Sequence, residues 1–164
     1  KTYFDALVAL RDFDFHDIFI KRGIYTEKEI KASYEVNLEE VVIYHSLEAK
    51  TMVSMIHKDL VPMGMAELND LSQILKFKNN EKLRIKYDRI DKMITDLLEC
   101  GDEINLLLDH SNNIEDIYKK AEYVERNIAT KLLTTRRIAD QMERLISRKN
   151  MTLPSYEDIF NSLS

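Results

Sequence analysis

Apolar residues recur along this chain in steps of three and four, the period of one face of an α-helix. Between Thr2 and Arg22 they fall at Phe4, Leu7, Val8 and Leu10, then at Phe13, Phe15, Ile18 and Phe19. That spacing predicts two short helices, broken near Asp12 to Asp14. Gly23 follows as a helix-ending glycine, because only glycine enters the left-handed region without steric cost. Thr26-Glu27-Lys28-Glu29 then has the form of a capping box, hydroxyl to amide and carboxylate back to amide.

A long stripe begins there: Ile30, Tyr34, Leu38, Val41, His45, Met52, Met55 and Ile56. The helix should reach Val61, where Pro62 lacks an amide hydrogen and forces a kink or a stop. Met65, Leu68, Leu71, Ile74 and Leu75 keep the period beyond it, up to a polar joint over 77–80 where Asn80 is a natural N-cap. Leu83, Tyr87, Ile90, Ile94, Leu97, Gly101, Ile104 and Leu108 make the most regular stripe. A turn is expected at Asp109 to Asn113, with Asn112 and Glu115 as a second capping pair. The return stripe is Ile114, Ile117, Ala121, Val124, Ile128, Thr135, Ile138, Met142 and Leu145, faltering at Lys131. Two such stripes joined by a short turn predict an antiparallel coiled-coil hairpin over about 80–149. Asn150 to Leu153 breaks the pattern, Pro154 marks a stop, and Ser155 with Asp158 caps a last turn carrying Tyr156, Ile159 and Phe160.

Composition narrows the class to all-α. Three glycines and two prolines in 164 residues are too few for the turns of a β-rich or doubly wound fold. The hydrophobic share, 45% against 32% charged, is that of a folded chain. The expectation is a single helical domain over 1–164: a bundle with a long kinked helix and the hairpin.

Charge removes several partners. The net charge of −5 argues against nucleic acid. Basic residues do gather late, at Lys131, Arg136, Arg137, Arg144, Arg148 and Lys149, but Asp140 and Glu143 interrupt them as on a solvated helix face. No apolar run approaches the roughly 20 residues needed to cross a bilayer. No signal peptide is evident, and no helix face has the basic, aromatic-edged stripe of a membrane-surface helix. Cys100 has no partner for an internal disulfide, as fits a reducing cytoplasm.

Catalytic patterns are missing from the sequence. A phosphate-cradling loop needs clustered glycines, and Gly23, Gly64 and Gly101 are isolated. One cysteine and the dispersed His16, His45, His57 and His110 do not make a zinc set. A di-iron bundle needs Glu-x-x-His, yet Phe13, Val42, Ser54 and Leu107 stand three before the histidines. His45 and Glu48 lie one turn apart, which is more often a helix contact than a catalytic dyad. Met52, Met55, Met63 and Met65 around Pro62 suit adaptable core filling, with a methionine-lined partner groove as the sharper alternative. Hence no catalytic, cofactor-binding or metal residue is assigned.

Three stretches carry more than periodicity. Phe19-Ile20-Lys21-Arg22-Gly23-Ile24-Tyr25-Thr26-Glu27-Lys28-Glu29-Ile30 with Ser33-Tyr34-Glu35 resembles the segment leading into the C-terminal helices of type III glutamine synthetases. Leu47-Glu48-Ala49-Lys50-Thr51-Met52, then Met55 and Leu60-Val61-Pro62, is similar to that family's Ile-Glu-Ala-x-Thr-Met run and its Ile-Leu-Pro. Leu153-Pro154-Ser155-Tyr156-Glu157-Asp158-Ile159-Phe160 resembles its closing Pro-x-Tyr-x-Asp-Leu-Leu-Phe. Val42-Ile43-Tyr44-His45-Ser46 departs from a more polar family stretch, and the hairpin matches by pattern more than identity.

The resemblance implies an ATP-dependent ligase that joins ammonia to glutamate through a γ-glutamyl phosphate, uses Mg²⁺, and assembles as stacked hexameric rings. It places the ATP, metal and glutamate residues in a catalytic domain upstream. This chain would then be a C-terminal structural piece contacting that domain and neighbouring subunits in the cytoplasm, an expectation that the missing initiator methionine favours. The competing expectation is a stand-alone adaptor that binds protein partners through the hairpin, with Lys119, Lys120, Glu122 and Glu125 as its charged flanks.

Overall fold

The computed structural model describes residues 2–11 and 15–152; side chains at positions 10, 11 and 15–17 are left aside. The closing motif expected at 153–160 lies outside the described residues. Every regular element among those described is helical: α1 Tyr3–Arg11, α2 Phe15–Lys21, α3 Glu27–Met55, α4 Val61–Phe77, α5 Glu81–Asn112, α6 Ile117–Tyr123 and α7 Thr130–Glu143, with a 3₁₀ turn at Arg148–Asn150. The fold is all-α.

Local chemistry explains most of the boundaries. Thr2 and Asp5 cap α1 reciprocally: the Asp5 amide donates to the Thr2 hydroxyl at 3.3 Å, and the Thr2 amide to the Asp5 carboxylate at 2.9 Å. Helix α2 closes on Gly23 at φ 67°, with the Ile24 amide reaching the Phe19 carbonyl and the Gly23 amide that of Ile20, each at 3.0 Å. That pair of bonds is a Schellman ending, and it needs the left-handed residue that only glycine supplies cheaply. The capping box at α3 is present as expected, Glu29 amide to Thr26 hydroxyl at 3.3 Å and Thr26 amide to Glu29 carboxylate at 2.7 Å. The Thr26 amide and then the Thr26 hydroxyl, both donating to the Glu29 carboxylate, hold its pKa below the ordinary value. Asn80 caps α5 by accepting the amides of Lys82 and Leu83.

Pro62 does not stop its helix. Residues Ile56–Leu60 widen into a π turn, in which the Val61 amide reaches five residues back to the Ile56 carbonyl. A proline ring crowds the carbonyl one turn before it and leaves that acceptor without a donor. The widened turn accommodates both, and α4 resumes at once.

A second π turn, Val124–Ala129, has no proline to announce it. There the Asn127 side-chain amide donates to the Tyr123 carbonyl at 2.9 Å, competing for the acceptor its own backbone amide would use in an α-helix. Beyond this turn the stripe does not falter. Leu132, Thr135, Ala139, Met142 and Ile146 are buried, while Ile138 and Leu145 are only partly so.

Two expectations need correction. Helix α5 runs through Asn112, so that residue cannot cap the return. The N-cap is Asp116, extended at ψ 118° and accepting the Lys119 amide at 2.8 Å. A carboxylate at a helix N-terminus gains from the helix dipole as well as the bond. The return helix also ends at Glu143 rather than near 149. Ser147 is extended, and its amide and hydroxyl both donate to Glu67.

Contacts divide the chain into two units, Lys1–Lys50 with Ile104–Lys131 and Thr51–Glu103 with Leu132–Ser164. In the first, Phe4 and Leu7 of α1 pack with Leu38 and Val41 of α3 and Ala121 of α6. The Phe4 and Tyr118 rings lie 5.7 Å apart. In the second, Ile56, Leu60, Met63 and Leu71 meet Ile90, Ile94 and Leu97 of α5 and Ala139, Met142 and Ile146 from the return. Each Ile, Leu or Met among them is worth about 1.5–3 kcal/mol on burial. Gly64 lets α4 approach closely: a Cβ there would lie 2.9 Å from Ile94 Cδ1 and Cγ1 and 3.2 Å from Met142 Sδ.

Candidate contact site

His45 stands on the inner stripe of α3, four residues after Val41 and four before the buried Ala49. Its Nδ1 lies 3.2 Å from Glu48 and its Nε2 3.0 Å from Glu125. A neutral imidazole has one N–H to give; the imidazolium gives both. Glu125 belongs to the second π turn, so the feature that the sequence concealed carries the second carboxylate of this cluster. The Tyr44 ring meets the His45 ring edge-on at 5.3 Å. A hydrogen bond to Glu48, with the charge of that carboxylate, raises the Tyr44 phenol above its ordinary pKa. The His45–Glu48 pair is thus half of a three-residue contact tying α3 to the return helix.

This cluster borders an open groove of ≈ 690 Å³ lined by Thr2, by Tyr3 of α1, by Glu40, Val41, Ile43, Tyr44, His45 and Leu47 of α3, and by Glu125. Ile43, Tyr44 and Leu47 are 65%, 60% and 64% exposed, and Tyr3 is 56% exposed. Such contiguous apolar exposure marks a contact surface. The lining is apolar and acidic, with no Lys or Arg among its described residues.

Glu67 forms the second polar cluster, which sequence reasoning missed. It is 4% exposed, yet it accepts from Lys86 Nζ at 2.6 Å, from the Ser147 hydroxyl at 2.6 Å and amide at 3.0 Å, and from Asn150 Nδ2 at 2.9 Å. Asn150 also reaches Asp70, which pairs with Lys149 at 2.8 Å. Burial alone would push the Glu67 pKa up. The bonds from Lys86, Ser147 and Asn150 outweigh it and bring the value down to about 2. A signal for this site did exist: Leu60, Met63, Glu67 and Leu71 keep helical spacing, so a carboxylate stood on the inner stripe and required partners.

The remaining residues singled out in the sequence stay apart. Cys100 is buried. His57 is exposed, and His110 stacks on Tyr123 at 4.6 Å. The side chain of His16 lies outside the described residues. Arg136, Arg137, Arg144 and Arg148 are exposed along the return segment. Met63 is buried in the second core with Met52 beside it, whereas Met65 faces outward. Among the described residues no group of three or more His, Cys, Asp or Glu is placed to hold a metal, and no helix is long and apolar enough to cross a membrane.

The family model for the glutamine synthetase C-terminal domain matches residues 1–79, ending where α4 gives way to α5. A glutamine synthetase of Butyrivibrio fibrisolvens is 27% identical over 154 residues, covering 90% of this chain and 22% of that protein. This chain resembles the C-terminal domain of glutamine synthetase. It spans about a fifth of that relative's length. No solved structure matches it. The synthetase-like stretch takes in the N-terminal helices, the His45 side of the groove and Glu67. The α5–α7 return, with Glu125, lies beyond the family match but within a chain that the bacterial enzyme parallels over most of its length.

Proposed function

We propose that this chain is a contact domain of a type III glutamine synthetase, a single helical piece that packs against a catalytic domain and neighbouring subunits and does no chemistry itself. The observations that carry this are the pairing of 90% of the chain with 22% of a glutamine synthetase and the match of residues 1–79 to the family model for the C-terminal domain. Contiguous exposed apolar side chains on α1 and α3 support it, since a surface of that kind is stable in water when something covers it. ATP-dependent ligation of ammonia to glutamate, with ATP and Mg²⁺, would belong to the parent enzyme in the cytoplasm, and its homo-oligomer would supply the partners. Nucleic acid and membrane are not partners in this reading, which the net charge of −5 and the lack of a membrane-crossing helix among the described residues support.

The reading frame before Lys1 tests the proposal directly. A continuous frame encoding a synthetase catalytic domain supports it; a start site immediately before Lys1 overturns it. A second measurement uses the polypeptide itself. With ATP, Mg²⁺, glutamate and ammonia it should form no glutamine above blank, and turnover would contradict a purely architectural role.

A further inference from the structure

The geometry points to the α1–α3 groove as a docking site for a basic amphipathic helix on a partner polypeptide. The inference rests on the contact-domain reading above and names the surface and the chemistry of what covers it. Ile43 and Leu47, four residues apart and both more than 60% exposed, form a ridge that an apolar helix face can seat against. Tyr3 and Tyr44 flank that ridge with aromatic faces, which attract a Lys or Arg cation as well as apolar groups.

The charges select the partner's sign. Glu40 and Glu125 line the groove, and Glu48 is held next to it through His45 and Tyr44. Among the described lining residues no Lys or Arg answers these carboxylates, and His45 is already held between Glu48 and Glu125. An acidic segment would meet like charge on arrival, whereas lysines beside an apolar stripe would find Glu40 exposed and waiting. Glu125 is 14% exposed and fixed, so the acidic side of the groove is set before any partner arrives.

The test uses two labelled helical peptides with the same leucine stripe, one flanked by lysines and the other by glutamates, titrated with the full chain by fluorescence anisotropy. The lysine peptide should bind at least about tenfold more tightly. Leu47→Ser and Tyr44→Ser should each weaken it about tenfold, and Glu40→Lys should weaken the lysine peptide alone. Leu133→Ser serves as the control, because Leu133 is 62% exposed on α7 and outside the groove lining. Equal binding of the two peptides overturns the proposal, as does a loss in Leu133→Ser equal to that in Leu47→Ser. Sedimentation separates a further outcome: a concentration-dependent dimer abolished by Leu47→Ser would show a second copy as the occupant and overturn it too. If the chain still associates with the larger part of the synthetase while Leu47→Ser changes nothing, this groove is wrong and the contact-domain reading stands.

Discussion

Glu67 and His45 each gather polar partners from segments about eighty positions apart in sequence, and they end in opposite states. Glu67 is sealed: it is 4% exposed, four hydrogen bonds from three residues converge on its carboxylate, and Leu60, Met63 and Leu71 on the same stripe are buried in the apolar core. His45 sits at the edge of an open groove whose apolar lining faces outward. A buried carboxylate is tolerated only when every lone pair is answered, so a saturated cluster has no valence left for a ligand. Function is better sought where polar fixation and exposed apolar surface coexist. By that measure Glu67 serves the fold, and the His45 groove is the surface on which the proposed partner would act.

The largest expected effect follows from unsealing Glu67. Glu67→Ala leaves Lys86 and the Ser147 amide and hydroxyl without their Glu67 acceptor and removes one of the two acceptors of Asn150; it should cost about 3–5 kcal/mol of unfolding free energy, read by urea denaturation. A loss below about 1 kcal/mol would mean that the cluster is wetter than its geometry indicates.

Acid should open the same cluster without mutation. The Glu67 pKa falls from 4.5 in the unfolded chain to about 2 in the folded one. Its contribution is therefore fully present above pH 4.5 and drains away as the pH drops towards 2, a loss of about 1–3 kcal/mol once solvent screening at the partly exposed Lys86 is allowed for. Denaturation midpoints of wild type and Glu67→Gln should converge across that window. Parallel pH profiles would assign the acid sensitivity to other carboxylates.

What the sequence could disclose follows from the range of each interaction. Caps and stripes act within one or two turns, so Thr26-Glu29, Asn80, Gly23 and the buried positions of α5 were readable from spacing alone. Pro62 was legible as a disturbance but not as a π turn, because whether a helix breaks or widens depends on what packs beyond it. The second π turn contains Asn127, an ordinary-looking residue whose side-chain bond competes locally with the backbone. It carries Glu125, and with it the half of the His45 cluster that spacing could not reveal. Glu67 was visible as a charge on an apolar stripe, but its partners Ser147 and Asn150 come from a segment that periodicity assigned to helix or helix end. The family resemblance rested on short ordered motifs, two of which fall inside the matched residues 1–79.

Glycine gives a smaller contrast inside the second unit. Gly64→Ala should lower stability by about 1–3 kcal/mol, since overpacking against Ile94 and Met142 exceeds the gain in helix propensity. Gly101 is also helical, but a Cβ there meets His57 Nε2 and Ile56 Cδ1 at 3.7 Å, an ordinary contact distance. Gly101→Ala should accordingly raise stability by about 0.5–1 kcal/mol. Thermal midpoints moving in opposite directions verify both signs; a shared direction would mean that backbone propensity, not close approach, governs the two sites.

The smallest expected change is the one that most sharpens the contrast between the two clusters. Leu47 projects from α3 with 64% of its surface in water, so Leu47→Ser removes little that folding had buried. The unfolding free energy should stay within about 0.5 kcal/mol of wild type. A fold indifferent to an apolar residue that the sequence nonetheless places in a ridge has that residue for contacts made after folding. If Leu47→Ser instead unfolds the chain as Glu67→Ala does, the groove is part of the core, and the division between a sealed scaffold and an open contact face fails.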